Sequence, residues 1–221
     1  MPYARALADL QDLLRRADLL KSWGPTAVYK IRDGTRVDFK AKIAVASDAH
    51  AKPPGVEFSD AEVELTLEVG ADDNLAAIRS CSAQVVIEGK NAASEEFKFA
   101  LHFDRHDPSI AAADLHAHYH WQIGGDRLDS QQFGTVLYLQ GPRFPWHPLD
   151  PVLLVDFVLG HFHGAKRTDL MESVSSRRYP RILHASQTSF VAPFFAALHQ
   201  ALSADPFVAT PYWPSLCGIS D

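Results

Sequence analysis

Two stretches of this sequence alternate apolar and polar residues without interruption. In EFKFALHFDRH (96–106) the odd positions Phe97, Phe99, Leu101 and Phe103 are apolar, while the even positions His102, Asp104 and His106 are polar. In DLHAHYHW (114–121) Leu115, Ala117, Tyr119 and Trp121 alternate with His116, His118 and His120. Successive side chains on a β-strand point to opposite faces, so each stretch reads as a strand with one apolar and one imidazole-bearing face. In an antiparallel hairpin around DPSIAAA, one core must cover both apolar rows. A one-residue slip would turn one row outward, so even positions face even positions. One register that satisfies this sets His102 opposite His118, and Asp104 opposite or diagonal to His116.

The same alternation predicts further strands near 26–32, 35–46, 60–69, 81–89 and 133–140, with the histidine-bearing pair at 95–106 and 114–123. Asp33-Gly34 marks a tight hairpin between the first two, and EGKNAASEE and Gly124-Gly125 mark later turns. AHAKPPGVEFSD (49–60) reads as the longest loop. Before the strands, Leu7, Leu10, Leu14, Ala17 and Leu20 recur at helical spacing, which predicts an amphipathic helix over 4–22 stopped by Trp23-Gly24-Pro25. After residue 140, GPRFPWHP is a proline-rich connector. LDPVLLVDFVLGHFHG then reads as a helix capped by Asp150, opened by Pro151, ended by Gly164 and apolar on most sides. Helical patterns follow at about 167–175, 180–188 and 193–203, with Pro193 starting or kinking the last. Strands first and helices afterwards predict one α+β domain over 1–221. Its sheet-forming part is 1–140 and its helical part 141–221, giving an antiparallel meander of about six or seven strands with an N-terminal helix and a C-terminal helical segment packed on it.

Composition narrows the function classes. A chain of 221 residues that is 47% hydrophobic and 22% charged can bury a sizeable core. Its net charge of −6 argues against a surface built for nucleic acid. The first residues, MPYARALADL, lack the apolar run of a signal peptide or membrane span, and two cysteines, Cys81 and Cys217, form no disulfide framework. The expectation is a reduced, cytoplasmic protein with no membrane partner. The basic segment KRTDLMESVSSRRYPR carries Lys166, Arg167, Arg177, Arg178 and Arg181. It reads as solvated helix faces or as an anion pocket, and neither GxGxxG nor GxxxxGK[ST] occurs to support a phosphate loop.

The histidine row carries the chemical content. Same-side neighbours on a strand lie nearly 7 Å apart at about 3.3 Å per residue, so His-x-His can chelate one ion. A third histidine four residues on lies about 13 Å from the first, too far to share a metal. A three-histidine site therefore needs a ligand from the neighbouring strand, and His102 is the natural donor. The candidate metal residues are His102, His116, His118 and His120, for zinc or another divalent transition metal. Asp104 is the orienting carboxylate or an extra ligand, and His120 or His106 the proton shuttle. Two other readings stand beside this one: a polar strand face without chemistry, and a metal-free pair of histidines as general acid and base. Neither cysteine stands beside a histidine in sequence, His161 and His163 do not share a helix face, and His184 and His199 read as satisfied core or surface residues.

At PWHPLDPVLLVDFVLGHF the chain resembles the ubiquitin-conjugating enzyme fold, in which an N-terminal helix leads to an antiparallel meander, then a Trp-x-Pro element leads to a buried helix. Trp146 and Pro148 match that element. The family's His-Pro-Asn tripeptide is absent, and no cysteine lies between Cys81 and Cys217 to serve as the thioester nucleophile. The resemblance thus implies a cysteine-less, non-catalytic module that binds a protein partner. The functional expectations are a metal-binding protein supporting hydrolysis or, alternatively, such an interaction module.

Overall fold

The computed structural model describes residues 2–32, 34–45, 56–70, 78–105, 119–123, 144–145, 149–172 and 177–204. An antiparallel sheet carries β1 (Leu20–Trp23), β2 (Ala27–Ile31), β3 (Gly34–Ala44), β4 (Val56–Gly70), β5 (Ile78–Asn91), β6 (Glu96–Arg105), β7 (Tyr119–Ile123) and β8 (Phe144–Pro145). Its order is β1-β3-β4-β5-β6-β7-β8, with β2 also pairing with β3. From β3 to β7 each strand thus lies beside the next in sequence. The helices are α1 (Pro2–Arg16), α2 (Pro151–Phe162), α3 (Gly164–Glu172), α4 (Arg178–Ser186) and α5 (Ala192–Ala204). The expected α+β architecture is present.

Odd positions build the core along most of the sheet. Val37, Phe39, Ala41 and Ile43 of β3, Val63, Leu65 and Leu67 of β4, Ala83, Val85 and Ile87 of β5, and Leu101 and Phe103 of β6 are all buried in one cluster with the helices. Two irregularities in the β4–β5 ladder reverse that parity. Ser59 is skipped between the pairs Phe58–Gly89 and Asp60–Glu88, and Arg79 between Glu68–Ser80 and Val69–Ile78. A bulge residue left out of the ladder moves its neighbours to the other face. Hence Phe58 packs edge-on against Phe162 of α2 at 5.6 Å, and Ile78 is buried although both are even-numbered.

The helices cover this apolar face. Leu7, Leu10 and Leu14 of α1 form the buried stripe its spacing predicts, and α2 buries eight of its twelve residues. Each such leucine or valine contributes about 1.5–3 kcal/mol on full burial. Asp150 caps α2 as expected, accepting from the Leu153 amide at 2.8 Å. Asp156 of α2 binds Arg167 of α3 through Nε at 2.7 Å and Nη2 at 3.1 Å. Arg178 of α4 reaches Asp9 and Asp12 of α1 at 2.8 and 2.6 Å. Two arginines of the basic segment therefore fasten helices together, whereas Arg177 and Arg181 are exposed.

Several sequence expectations need correction. α1 ends at Arg16 rather than 22. Asp18 adopts a left-handed φ of 56°, with Leu19 N–H donating to Leu14 O at 2.9 Å and Asp18 N–H to Arg15 O at 3.2 Å, a Schellman ending with aspartate in the usual glycine position. Released from the helix, Leu20–Trp23 pairs with β3 as an extra strand. Gly24 then crosses Lys40 so closely that an added Cβ would lie 3.2 Å from Lys40 Cβ and O. Val56–Asp60, expected in the long loop, extends β4, and Phe144–Pro145 of the connector pairs with β7. Gly164 opens α3 instead of ending α2, which stops at the His163 cap. Pro193 follows a π-helical turn, Gln187–Val191, that joins α4 to α5. A proline has no N–H for the carbonyl four residues back and its ring crowds that carbonyl, and the wider π turn relieves both problems. The expected strand at 133–140 and the turn at 124–125 lie outside the described residues. No helix among the described residues is long and apolar enough to cross a membrane.

Candidate functional site

β6 and β7 form the expected antiparallel pair, and the parity argument holds: Leu101 pairs with Ile123, Phe103 with Trp121, His102 with Gln122 and Asp104 with His120. Even positions face even positions. The register itself differs from the one set out above, because His102 lies opposite Gln122 rather than His118. Any shift by an even number of residues preserves both faces, so parity alone does not select the pairing of Phe103 with Trp121. His116, His118 and His106 lie outside the described residues. Of the four proposed metal ligands, the register thus locates two: His102 on β6 and, diagonally across, His120 on β7.

His102 lies on the sheet face turned away from the helices, together with the charged even positions of β3 to β6. Elsewhere that face is a lattice of cross-strand ion pairs. Lys40 bonds Glu62 at 2.9 Å and also Glu64, Lys42 reaches Glu88 at 3.2 Å, and Lys98 reaches Glu88 at 3.3 Å. Arg36, Tyr29 and Thr66 all donate to Asp38, at 2.9, 2.8 and 3.2 Å. Burial would raise the Asp38 pKa, but the Tyr29 and Arg36 hydrogen bonds outweigh it and hold the carboxyl below its ordinary value. A shallow depression of about 440 Å³ over Asp38, Lys40, Glu64 and Gln84 is thus lined largely by groups that already satisfy one another.

Around His102 the face changes character. Val86 and Ala100, paired across β5 and β6, are buried here, and His102 itself is only 9% exposed. Its Nδ1 lies 3.3 Å from Asp104 Oδ2, and its Nε2 contacts the side-chain amide of Gln84, its cross-strand partner. With the Nδ1 proton directed at Asp104, Nε2 keeps the lone pair. A carboxylate that orients an imidazole in this way is the usual outer partner of a metal-ligating histidine, and equally of a histidine acting as a base. Gln84 was not singled out from sequence, although its even position on β5 puts it on this face by the same parity. Among the described residues, no three His, Cys, Asp or Glu side chains converge as a metal-binding group.

The remaining candidates resolve simply. Cys81 is buried within β5, and Trp121 packs half-buried against the core as its parity predicts. His161, His184 and His199 are exposed on α2, α4 and α5. Cys217 lies outside the described residues. Comparison with protein-family models, with curated proteins and with solved structures gave no match.

Proposed function

We propose that the protein binds a divalent transition metal such as zinc on the outward face of the β6–β7 pair, and that a water on the ion supports hydrolysis. The observation that carries this reading is the His102–Asp104 pair: a buried imidazole oriented by a carboxylate through Nδ1, with its lone-pair nitrogen Nε2 turned away from that carboxylate. The pairing of Asp104 with His120 supports a second ligand position on the neighbouring strand. Directly opposed residues have Cβ atoms about 5 Å apart and diagonal ones about 7–8 Å apart, within the span of two imidazoles sharing an ion. On the strength of sequence alternation alone, His118 is the third ligand, because His116 would stand about 13 Å along a strand from His120, too far to share the ion. A zinc held by three nitrogens and one water lowers the pKa of that water to about 7 and so supplies a nucleophile at neutral pH. In this reading Gln84 yields Nε2 to the metal and Asp104 keeps the ring in place.

A second reading is favoured by the same geometry. Both His102 nitrogens already have partners within the sheet, Asp104 and Gln84, as a purely structural histidine would. The chain order of α1, antiparallel meander and buried α2 is also what a cysteine-less relative of the ubiquitin-conjugating fold would have, and such a relative would be an interaction module.

Elemental analysis of protein purified without an affinity tag separates the two. The metal reading expects about one zinc, manganese, iron, cobalt or nickel ion per chain, lost in His102→Ala, with activity lost and restored on chelation and reloading. Substoichiometric metal in the native chain, unchanged by direct zinc titration, leaves the interaction module.

A further inference from the structure

A second concave feature lies on the opposite side of the molecule, between the helices. It is a cleft of about 660 Å³, in the range of pockets that hold small molecules. One wall is apolar and comes from α2 and the residues before it: Leu149, Leu153 and Phe157. The facing wall is the π turn, which contributes Gln187, Thr188 and Val191. Isolated π turns inside α-helices are costly and are found frequently at functional sites. Here the turn also contributes two polar residues, Gln187 and Thr188, to the lining of the cleft.

Among the described residues that line the cleft, Asp156 is the single acid, and its oxygens are taken by Arg167 and by the Tyr179 hydroxyl at 2.8 Å. Arg167 uses Nε and Nη2 for that pair, so Nη1 takes part in neither bond. His161 donates from Nδ1 to its own helix at Phe157 O, 2.8 Å away, so in the neutral ring Nε2 carries the lone pair and accepts. Its ring lies 4.3 Å from that of Phe157 at a 31° tilt, extending the apolar wall with an aromatic shelf. His184 borders the cleft from α4.

From this geometry we infer that the cleft is a binding site for a small organic anion, with an apolar ring or branched chain lying on Leu153, Phe157 and Val191 beside the His161 ring, and a carboxylate or phosphate head held by Arg167 Nη1 and His184. The inference is independent of the metal reading, since the cleft and the His102 face lie on opposite sides of the sheet. An amphiphilic anion suits the site because the apolar wall removes its body from water while a fork of donors meets its charge.

The test uses the full chain and 1-anilinonaphthalene-8-sulfonate, a probe with the same apolar body and anionic head. Its fluorescence should rise saturably with one site per folded chain. Phenylacetate and phenyl phosphate should displace it, the stronger of the two naming the head group, whereas benzyl alcohol, which lacks the charge, should be about tenfold weaker or worse. His184→Ala should weaken binding about tenfold, and Thr188→Trp, at an exposed position, should fill the cleft and abolish it. Near-ultraviolet circular dichroism confirms that each variant is folded. No saturable binding, equal displacement by benzyl alcohol, or undiminished binding in folded Thr188→Trp would each overturn the proposal.

Discussion

The Tyr179 hydroxyl donates to Asp156 Oδ1 at 2.8 Å, joining α4 to α2 on the carboxylate that also holds Arg167 of α3. Three helices thus meet on one anion. Tyr179→Phe should cost about 1.5–3 kcal/mol in urea denaturation, the range for a hydrogen bond to a charged group. Asp156→Ala should cost more, because it also strands Arg167, although that side chain is 35% exposed and keeps part of its hydration. A Tyr179→Phe chain as stable as the parent would mean that the contact contributes nothing. Burial, then the Asp156 charge, pushes the Tyr179 pKa well above its ordinary value of 10.0. A folded-state value above the unfolded one gives stability that is present below about pH 10 and declines above it. Spectrophotometric titration of the folded chain at about pH 11 should therefore count as many ionised tyrosines in Tyr179→Phe as in the parent.

Cys81 is 5% exposed, and burial followed by the nearby Asp104 charge pushes its thiol from 9.0 up to about 12. The thiolate is the reactive form, so the folded protein should protect it. In a Cys217→Ser background, a disulfide reagent at about pH 8 should label Cys81 no faster than the chain unfolds, and urea should accelerate the reaction. The sign for stability follows the same rule as for Tyr179: the contribution is present below the ordinary value and is lost as the pH rises towards 12. Rapid labelling of the native chain would show that β5 opens locally.

Asp150 is fully buried, and its Oδ1 accepts from the Leu153 amide at the start of the most deeply buried helix. Asp150→Ala should destabilise the protein by about 1–2 kcal/mol, the upper part of the range for a helix cap, while Asp150→Asn should recover most of the loss. Thermal unfolding of the two variants checks this, and equal losses in both would assign the effect to charge rather than to the cap.

Arg178 clamps α4 to α1 through Asp9 and Asp12. Hydrogen bonds from Arg178 and then Arg16 hold the Asp12 carboxyl below its ordinary value of 3.8. A depressed folded-state pKa contributes stability above the unfolded value and loses it as the pH falls through the folded one. Arg178→Ala should therefore melt below the parent at neutral pH, and the gap should close in acid. A gap that persists unchanged at about pH 2 would assign the loss to packing of the arginine stem instead.

Local patterns in the chain were enough to specify most elements. Period-two alternation places β3 to β6, the Asp150-Pro151 pair marks the first turn of α2, and a leucine stripe defines the buried face of α1. Each depends only on where neighbouring side chains point, a property of the backbone that needs no partner. The errors fall where a neighbour decides. Leu20 continues a helical stripe in sequence, but the edge of β3 offers Leu20–Trp23 a ladder, and Asp18 turns the chain to meet it. Phe58 and Ile78 break the alternation because bulges at Ser59 and Arg79 reset it, and a bulge exists only in relation to the strand opposite.

The candidate sites divide along the same line. Alternation alone put His102, Asp104 and the even positions of 114–121 on one side of a hairpin, since one core must cover both apolar rows. The pairing of Asp104 with His120, the contact of His102 with Gln84, and the meeting of Phe157, His161, Arg167 and His184 around one cleft required the tertiary structure. Parity is a property of each strand, but register and helix packing are chosen by the total fit of surfaces that lie far apart in sequence. Several even-numbered shifts bury the same side chains, so only the assembled sheet and its helices select among them.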